Sequence, residues 1–343
     1  MVSSIQRKTL FVSLSLVLFV LILSILWLLF NPPSKTPSLK VVFIKKGSSL
    51  KKISEVLERE EVIRNAHFFA GIATILGKKA EIKAGEYEFH TRMLPFEVLK
   101  TLIKGQVKRH LVTVAEGCTL SQIAQQLEDL NIVEKKAFLE KATSPSFISS
   151  VGLAELAGNT LEGYLFPETY HFYKEMDPED VIRIMVQQFK RVFMPEGSAW
   201  ATHSGVSERE AVILASIIEK EASLAQEKAF VSAVFHNRLK KRIPLQSDPT
   251  VIYGIRNFDG NLTREQLSIP SPYNTYLNAG LPPTPICNPG RDSLHAALNP
   301  APVPYFYFVS RNDGSHFFSS DIEEHNRAVW KYQKRPQKNL TKK

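Results

Sequence analysis

Residues 213–224 read "ILASIIEKEASL" and set two acids, Glu219 and Glu221, inside an otherwise apolar helical run with one lysine between them. A carboxyl in apolar surroundings holds its proton to higher pH than one in water and becomes a candidate general acid. Two residues along a helix is a turn of about 200°, so the two acids point to opposite sides. Glu221 continues the stripe of Leu214, Ile217 and Ile218. Glu219 shares its side with Val212, Ala215, Ser216, Ala222 and Ser223, small residues that would let a bulky substrate come close. A salt bridge or a capping interaction is the competing reading for either acid, and periodicity alone does not choose between them.

Three loops follow: "LQSDPTVIYG" (245–254), "SPYNTYLNAGLPPTPICNPG" (271–290) and "AALNPAPVPYFYFV" (296–309). They are dense in Tyr, Asn, Gln, Ser and Pro. Sugar rings stack on aromatic faces, and sugar hydroxyls pair with amides and hydroxyls, so such walls suit a saccharide. The same residues also serve ordinary turns.

The elements that must position these groups are readable. Ser207-Glu208-Arg209-Glu210 fits a capping box and starts a helix over about 208–222. Ser223-Leu224-Ala225-Gln226 reads as a second box, opening a helix with Phe230, Val231, Val234, Phe235 and Leu239 inward. The two form a helical hairpin whose corner lies just past the acids. "PYFYFV" and "HFFSS" read as strands.

Upstream, the chain repeats itself. Residues 41–63 align with residues 111–133 at an offset of 70 without a gap, matching Gly47 to Gly117, Ser49 to Thr119 and Leu50 to Leu120. Each copy reads as a strand, a glycine turn, a Ser/Thr N-cap and an amphipathic helix. The unit resembles LysM-like modules, which bind glycans containing N-acetylglucosamine; packing alone is the equal alternative. Residues 10–30, "LFVSLSLVLFVLILSILWLLF", carry no charge, proline or glycine, and about 20 apolar residues suffice to span a bilayer. Arg7 and Lys8 precede them and set the N-terminus inside, with the remainder exported. The segment is longer than a cleaved signal's apolar core and lacks its small-residue site.

The expected organisation is a cytoplasmic N-terminus (1–9), a transmembrane helix (10–30), a linker (31–39), a first LysM-like module (40–105), a second strand–helix module (106–150), a mixed α+β domain carrying the hairpin (151–332) and a basic tail (333–343). The fold class is α+β. The net charge of +9 in an exported chain points to an anionic envelope polymer or lipid surface, not nucleic acid. Cys118 and Cys287 are expected to be unpaired. No H-E-x-x-H, C-x-x-C, G-x-S-x-G or phosphate-binding loop is present, so neither a metal nor another cofactor is expected.

The run "LASIIEKEA…VFHNRL…LQSDPTVIYG…YNTY…GLPPTPICNPG…YFYFV", with "LEGYLFPETY" (161–170) before it, resembles the endolytic murein transglycosylases of the YceG-like family over residues 40 to about 330. The resemblance implies a lyase of the inner (cytoplasmic) membrane, acting on its periplasmic side beside peptidoglycan synthases. Such an enzyme cleaves the bond between N-acetylmuramic acid and N-acetylglucosamine within a strand, leaves a 1,6-anhydromuramic end and terminates nascent strands. Carried over by motif, the catalytic acid is the first of E-K-E, Glu219, with a pKa raised to about 6 by an apolar setting. Gln246, Ser247 and Asp248 are expected to bond the sugar or peptide stem, Tyr273, Asn274 and Tyr276 to line the groove, and Glu162 and Tyr164 to close it. Two alternatives stay open: a hydrolase with Asp248 or Glu221 as base, because water attack needs a second carboxylate, and a non-catalytic peptidoglycan-binding scaffold.

Overall fold

The structure, a computed structural model, describes residues 4–334 apart from 35, 205 and 257; the side chains of 4–10, 26, 28–30 and 195–204 also lie outside that description. Most of the expected basic tail therefore falls beyond the described residues. The fold is mixed α+β, and the chain forms two compact units.

Unit 1 comprises the residues up to His110 together with His171–Met176. It opens with α1 (Ser4–Phe30), followed by β1 (Leu39–Ile44), α2 (Leu50–Arg59), α3 (Ala66–Ile75), β2 (Gly85–His90) and α4 (Pro95–Lys104). Among the described residues no helix is long and apolar enough to cross a membrane. The described side chains of α1, at 11–25 and 27, are all exposed. The spanning helix expected over 10–30 is therefore not established by the described residues. At the start of the expected linker, Arg64 donates to the Pro32 carbonyl at 3.0 and 2.7 Å and lies 4.6 Å over the Trp27 ring.

Strands β1 and β2 pair antiparallel, with Val42 opposite Tyr87 and Ile44 opposite Gly85. The alternation of β1 turns Val42 and Ile44 inward onto Leu57, Phe69, Phe89 and Leu102. In the same unit, the buried Glu86 carboxylate accepts from Lys174 at 2.6 Å and pairs with His110 at 2.7 Å.

Unit 2 holds the second copy of the repeat and everything beyond it except His171–Met176. Its elements begin with β3 (His110–Thr113), α5 (Leu120–Asp129), α6 (Lys135–Ala142), α7 (Pro145–Ser150), α8 (Ala154–Ala157) and β4 (Thr169–Phe172), which pairs with β3; His110, His171 and Phe172 at the strand ends count with unit 1. There follow α9 (Pro178–Ser204), α10 (Glu208–Glu221), α11 (Ala225–Lys241), α12 (Asp248–Gly254), α13 (Arg291–Leu298), the hairpin β5 (Tyr307–Ser310) and β6 (His316–Ser319), and α14 (Ile322–Val329). The repeat is real in detail. Ser49 caps α2 and Thr119 caps α5, and both glycine turns are left-handed, Gly47 at φ 79° and Gly117 at φ 78°.

Helix α10 is the hub. Ser207 and Glu210 close the expected capping box, and every residue from Ala211 to Ile218 is buried. α11 follows as expected, but its N-cap is Leu224 with no side-chain bond, so the box at Ser223 goes unused. Val231, Val234 and Phe235 are buried, whereas Phe230 is half-exposed against Phe318.

Asn288 ties the loop before α13 to the rest of unit 2. Its amide oxygen accepts from Gly163 and Leu165, and its amide nitrogen donates to Cys118 O and Glu162. Asn288→Ala strands these buried groups without partners. The expected loss, read by chemical denaturation, is about 3 kcal/mol, since each orphaned group costs on the order of 1–3 kcal/mol.

Candidate active site

The small-residue side of α10 does not face solvent. Ser216 Oγ accepts from Ile286 N at 3.0 Å, and the Cys287 thiol donates to Ser216 O at 3.3 Å. Gly163 sits so close to Pro285 and Val212 that any side chain there would collide with Pro285. The small residues thus admit the proline-rich loop, not a substrate. Cys287 is buried, and both cysteines are free thiols.

Glu219 lies at this crowded corner, and the apolar setting expected for it is absent. Its carboxylate accepts from Gly290 N at 3.0 Å and Ser293 Oγ at 2.7 Å, and pairs with Lys228 Nζ at 3.2 Å. Lys228 and the Gly290 N–H can only donate. Lys228 also lies 3.8 Å from Glu116, whose carboxyl is pushed up by burial and by Glu219.

Glu221 has the opposite surroundings. It lines a cleft of about 430 Å³ together with Arg238, Gln246, Asp248, Tyr276 and Tyr307. Burial first, and the Asp248 charge second, push its carboxyl up to about 7, against the lowering effect of a 2.5 Å hydrogen bond from Ser247 Oγ. Glu221 is also the last residue of α10, where the negative end of the helix dipole disfavours a carboxylate.

The loop residues named from sequence divide into two groups. Gln246, Ser247, Asp248 and Tyr276 gather around Glu221. Gln246 holds a left-handed backbone, φ 53°, and accepts from Arg238; Asp248 accepts from the Tyr276 hydroxyl at 2.6 Å.

The other four, two expected to line the groove and two to close it, bond within the fold. Asn274 is fully buried and its amide ties the Leu267 and Ile269 carbonyls. Tyr273 bonds Thr284 and packs on Tyr253. Tyr164 is fully buried, donating to Leu156 O. Glu162, 3 % exposed, caps α5 through Leu120 N and accepts from Tyr253 and Asn288. Burial pushes its carboxyl up to about 7.

Arg238, His316 and His325, which sequence reasoning did not assign to a site, line the same cleft, as does Tyr307 of the third quoted loop. Arg238 stands in the quoted "VFHNRL", but at the end of a helix it reads as an ordinary cation meeting the dipole. No cluster of metal-ligating side chains occurs among the described residues.

Residues 42–331 match the YceG-like family. The endolytic murein transglycosylase of Bacillus subtilis is 33% identical over 302 residues, covering 84% of this chain and 83% of that protein. The protein of the same name from Streptococcus pneumoniae is 29% identical over 317 residues, covering 84% of this chain but 57% of its own length. A 2.6 Å crystal structure of a yceG-like protein from Listeria monocytogenes superposes with a TM-score of 0.59 at 33% identity, covering 85% of this chain and all of that one. With the family match spanning most of the chain, the protein belongs to the YceG-like family.

Proposed function

We propose that the chain is an endolytic murein transglycosylase, a lyase of peptidoglycan strands, and that Glu221 rather than Glu219 transfers the proton. Its relatives carry that activity in their names. The observation that carries the residue assignment is the placement of the Glu221 carboxyl in a cleft with tyrosine walls, where burial pushes it up to about 7.

The step needs one such group. Ser247 donates to Glu221 Oε1, which leaves Oε2 to hold the proton. That proton passes to the glycosidic oxygen as the C1–O bond of the muramyl residue breaks. The resulting carboxylate takes the proton from the same sugar's C6 hydroxyl as O6 closes on C1. The 1,6-anhydro ring forms, Glu221 regains its proton, and no water is consumed. Tyr276 and Tyr307 supply faces for sugar rings, and Gln246 and Asp248 supply polar partners. Glu219 holds the corner among α10, Lys228 and the start of α13.

The reading extends to placement. α1 keeps its described apolar side chains exposed, among them Phe11, Leu14 and Trp27, as a helix surrounded by lipid would. This supports a single-pass anchor in the inner membrane with the residues after α1 on the periplasmic side, near the synthases whose strands it terminates. The repeated strand–helix units are read as LysM-like glycan contacts.

Glu221→Gln should lower strand cleavage by about 10³-fold or more with folding unchanged, because the proton donor is removed. Glu219→Gln should retain measurable cleavage and lose thermal stability. Mass spectra of the products should show anhydro ends; reducing ends would mark a hydrolase using Asp248, and intact strands a binding scaffold. Only protonated Glu221 donates, so kcat should fall as pH rises through about 7, tenfold per unit above it. A rate that keeps rising to pH 9 would contradict the assignment.

A further inference from the structure

Arg238 is 8 % exposed, and among the described residues no carboxylate lies in ion-pair range of it. Its partners are neutral. Nε donates to Phe306 O at 2.8 Å, and Nη1 donates to Pro244 O, Leu245 O and Gln246 Oε1 at 3.0, 2.9 and 3.2 Å. Nη2, with two N–H groups, has no partner among the described residues. A guanidinium this buried is ordinarily matched by an anion, because desolvating an unpaired charge is costly.

A second orphan stands beside it. His325 Nδ1 is buried without a hydrogen-bond partner among the described residues. The two groups share Tyr307: the guanidinium lies 5.2 Å from its ring, and the His325 ring stacks on it at 5.2 Å and 29°. Both line the cleft that holds Glu221. The acids there are already engaged, Glu221 by Ser247 and Asp248 by Tyr276. His316 is engaged too, paired with Glu227 at 2.7 Å.

From this pairing we infer that Arg238 and His325 form an anion subsite that binds a carboxylate of the muramyl residue being cleaved. The inference rests on the transglycosylase reading for the identity of the anion. On a peptidoglycan strand the anionic groups are carboxylates, from two sources: the lactyl acid of a stripped muramic acid, or the acids of a peptide stem. Arg238 on α11 and His325 on α14 both pack on the Tyr307 ring, and each has nitrogen hydrogen-bonding capacity that the described residues leave unused. The subsite would seat the muramyl unit by its acidic arm while its C1–O bond meets Glu221.

The test measures dissociation constants with the full-length chain in detergent micelles. The probes are N-acetylmuramic acid, its neutral carboxamide, a muramyl peptide carrying stem carboxylates, and the fully amidated form of that peptide. At least one acid should bind about tenfold or more tightly than its own amide, the gain of a charge-assisted pair. The acid that does so names the source. Arg238→Gln should erase the preference, with folding checked by its thermal transition. His325→Phe keeps a ring on Tyr307 and leaves the Arg238 hydrogen bonds to Phe306, Pro244 and Leu245 intact, and should cut the preference at least about threefold, the loss of one modest hydrogen bond. Acids and amides that bind alike, or a preference that His325→Phe leaves whole, would overturn the subsite. Cleavage of strands by the same preparation separates the two ideas. Cleavage without acid preference sinks the subsite alone, and acid preference without cleavage sinks the transglycosylase reading alone.

Discussion

The chemistry hangs on a carboxyl that the fold makes costly to ionise. Glu221 ends a helix buried over two turns, so its side chain starts from the core and not from the surface. Three effects act in one direction there: burial, the nearby Asp248 charge and the negative end of α10. The Ser247 hydroxyl opposes them and fixes the carboxyl's direction. A charge relieved this way is a proton donor at neutral pH, and the rest of unit 2 can be understood as the packing that keeps it so. The proline-rich loop closes one side of α10 through Ser216, and Asn288 secures that loop to the start of α5 and to Gly163.

Two acids of one helix, two residues apart, acquire different roles because their neighbours differ. Glu219 meets an ammonium, an amide N–H and a hydroxyl, and joins three segments as an anchoring acceptor. Glu221 meets one hydroxyl and a cleft. Enzymes that use paired carboxyls separate them by the same device, placing one in a polar cage and the other in a dry wall.

Local signals in the sequence were sufficient for local structure. The offset of 70 residues placed Ser49 and Thr119 as caps and Gly47 and Gly117 as turns, and all four occupy those positions. The box at Ser207 set the start of α10, and the aromatic runs near 307 and 317 are strands. What escaped depends on distance along the chain. Glu219 is matched to Gly290 and Ser293, 71 and 74 residues away, and no helical period contains that information. The small face of α10 looked like room for substrate because small side chains mark close approach without saying by what. Tyr164 and Asn274 are polar aromatic or amide residues in loops, but their partners are backbone carbonyls of the fold itself. Ser223 had a good capping pattern and was bypassed, since α11 starts one residue later than that box required.

The central claim is a property of one side chain in the resting protein. Carbon-13 NMR of glutamate carboxyls in the full-length chain, assigned by comparison with Glu221→Gln, follows that carboxyl through pH 3–10. The account predicts a midpoint near 7 for Glu221. A midpoint at the ordinary glutamate value of 4.5 would leave the cleft without a proton to give and would contradict it.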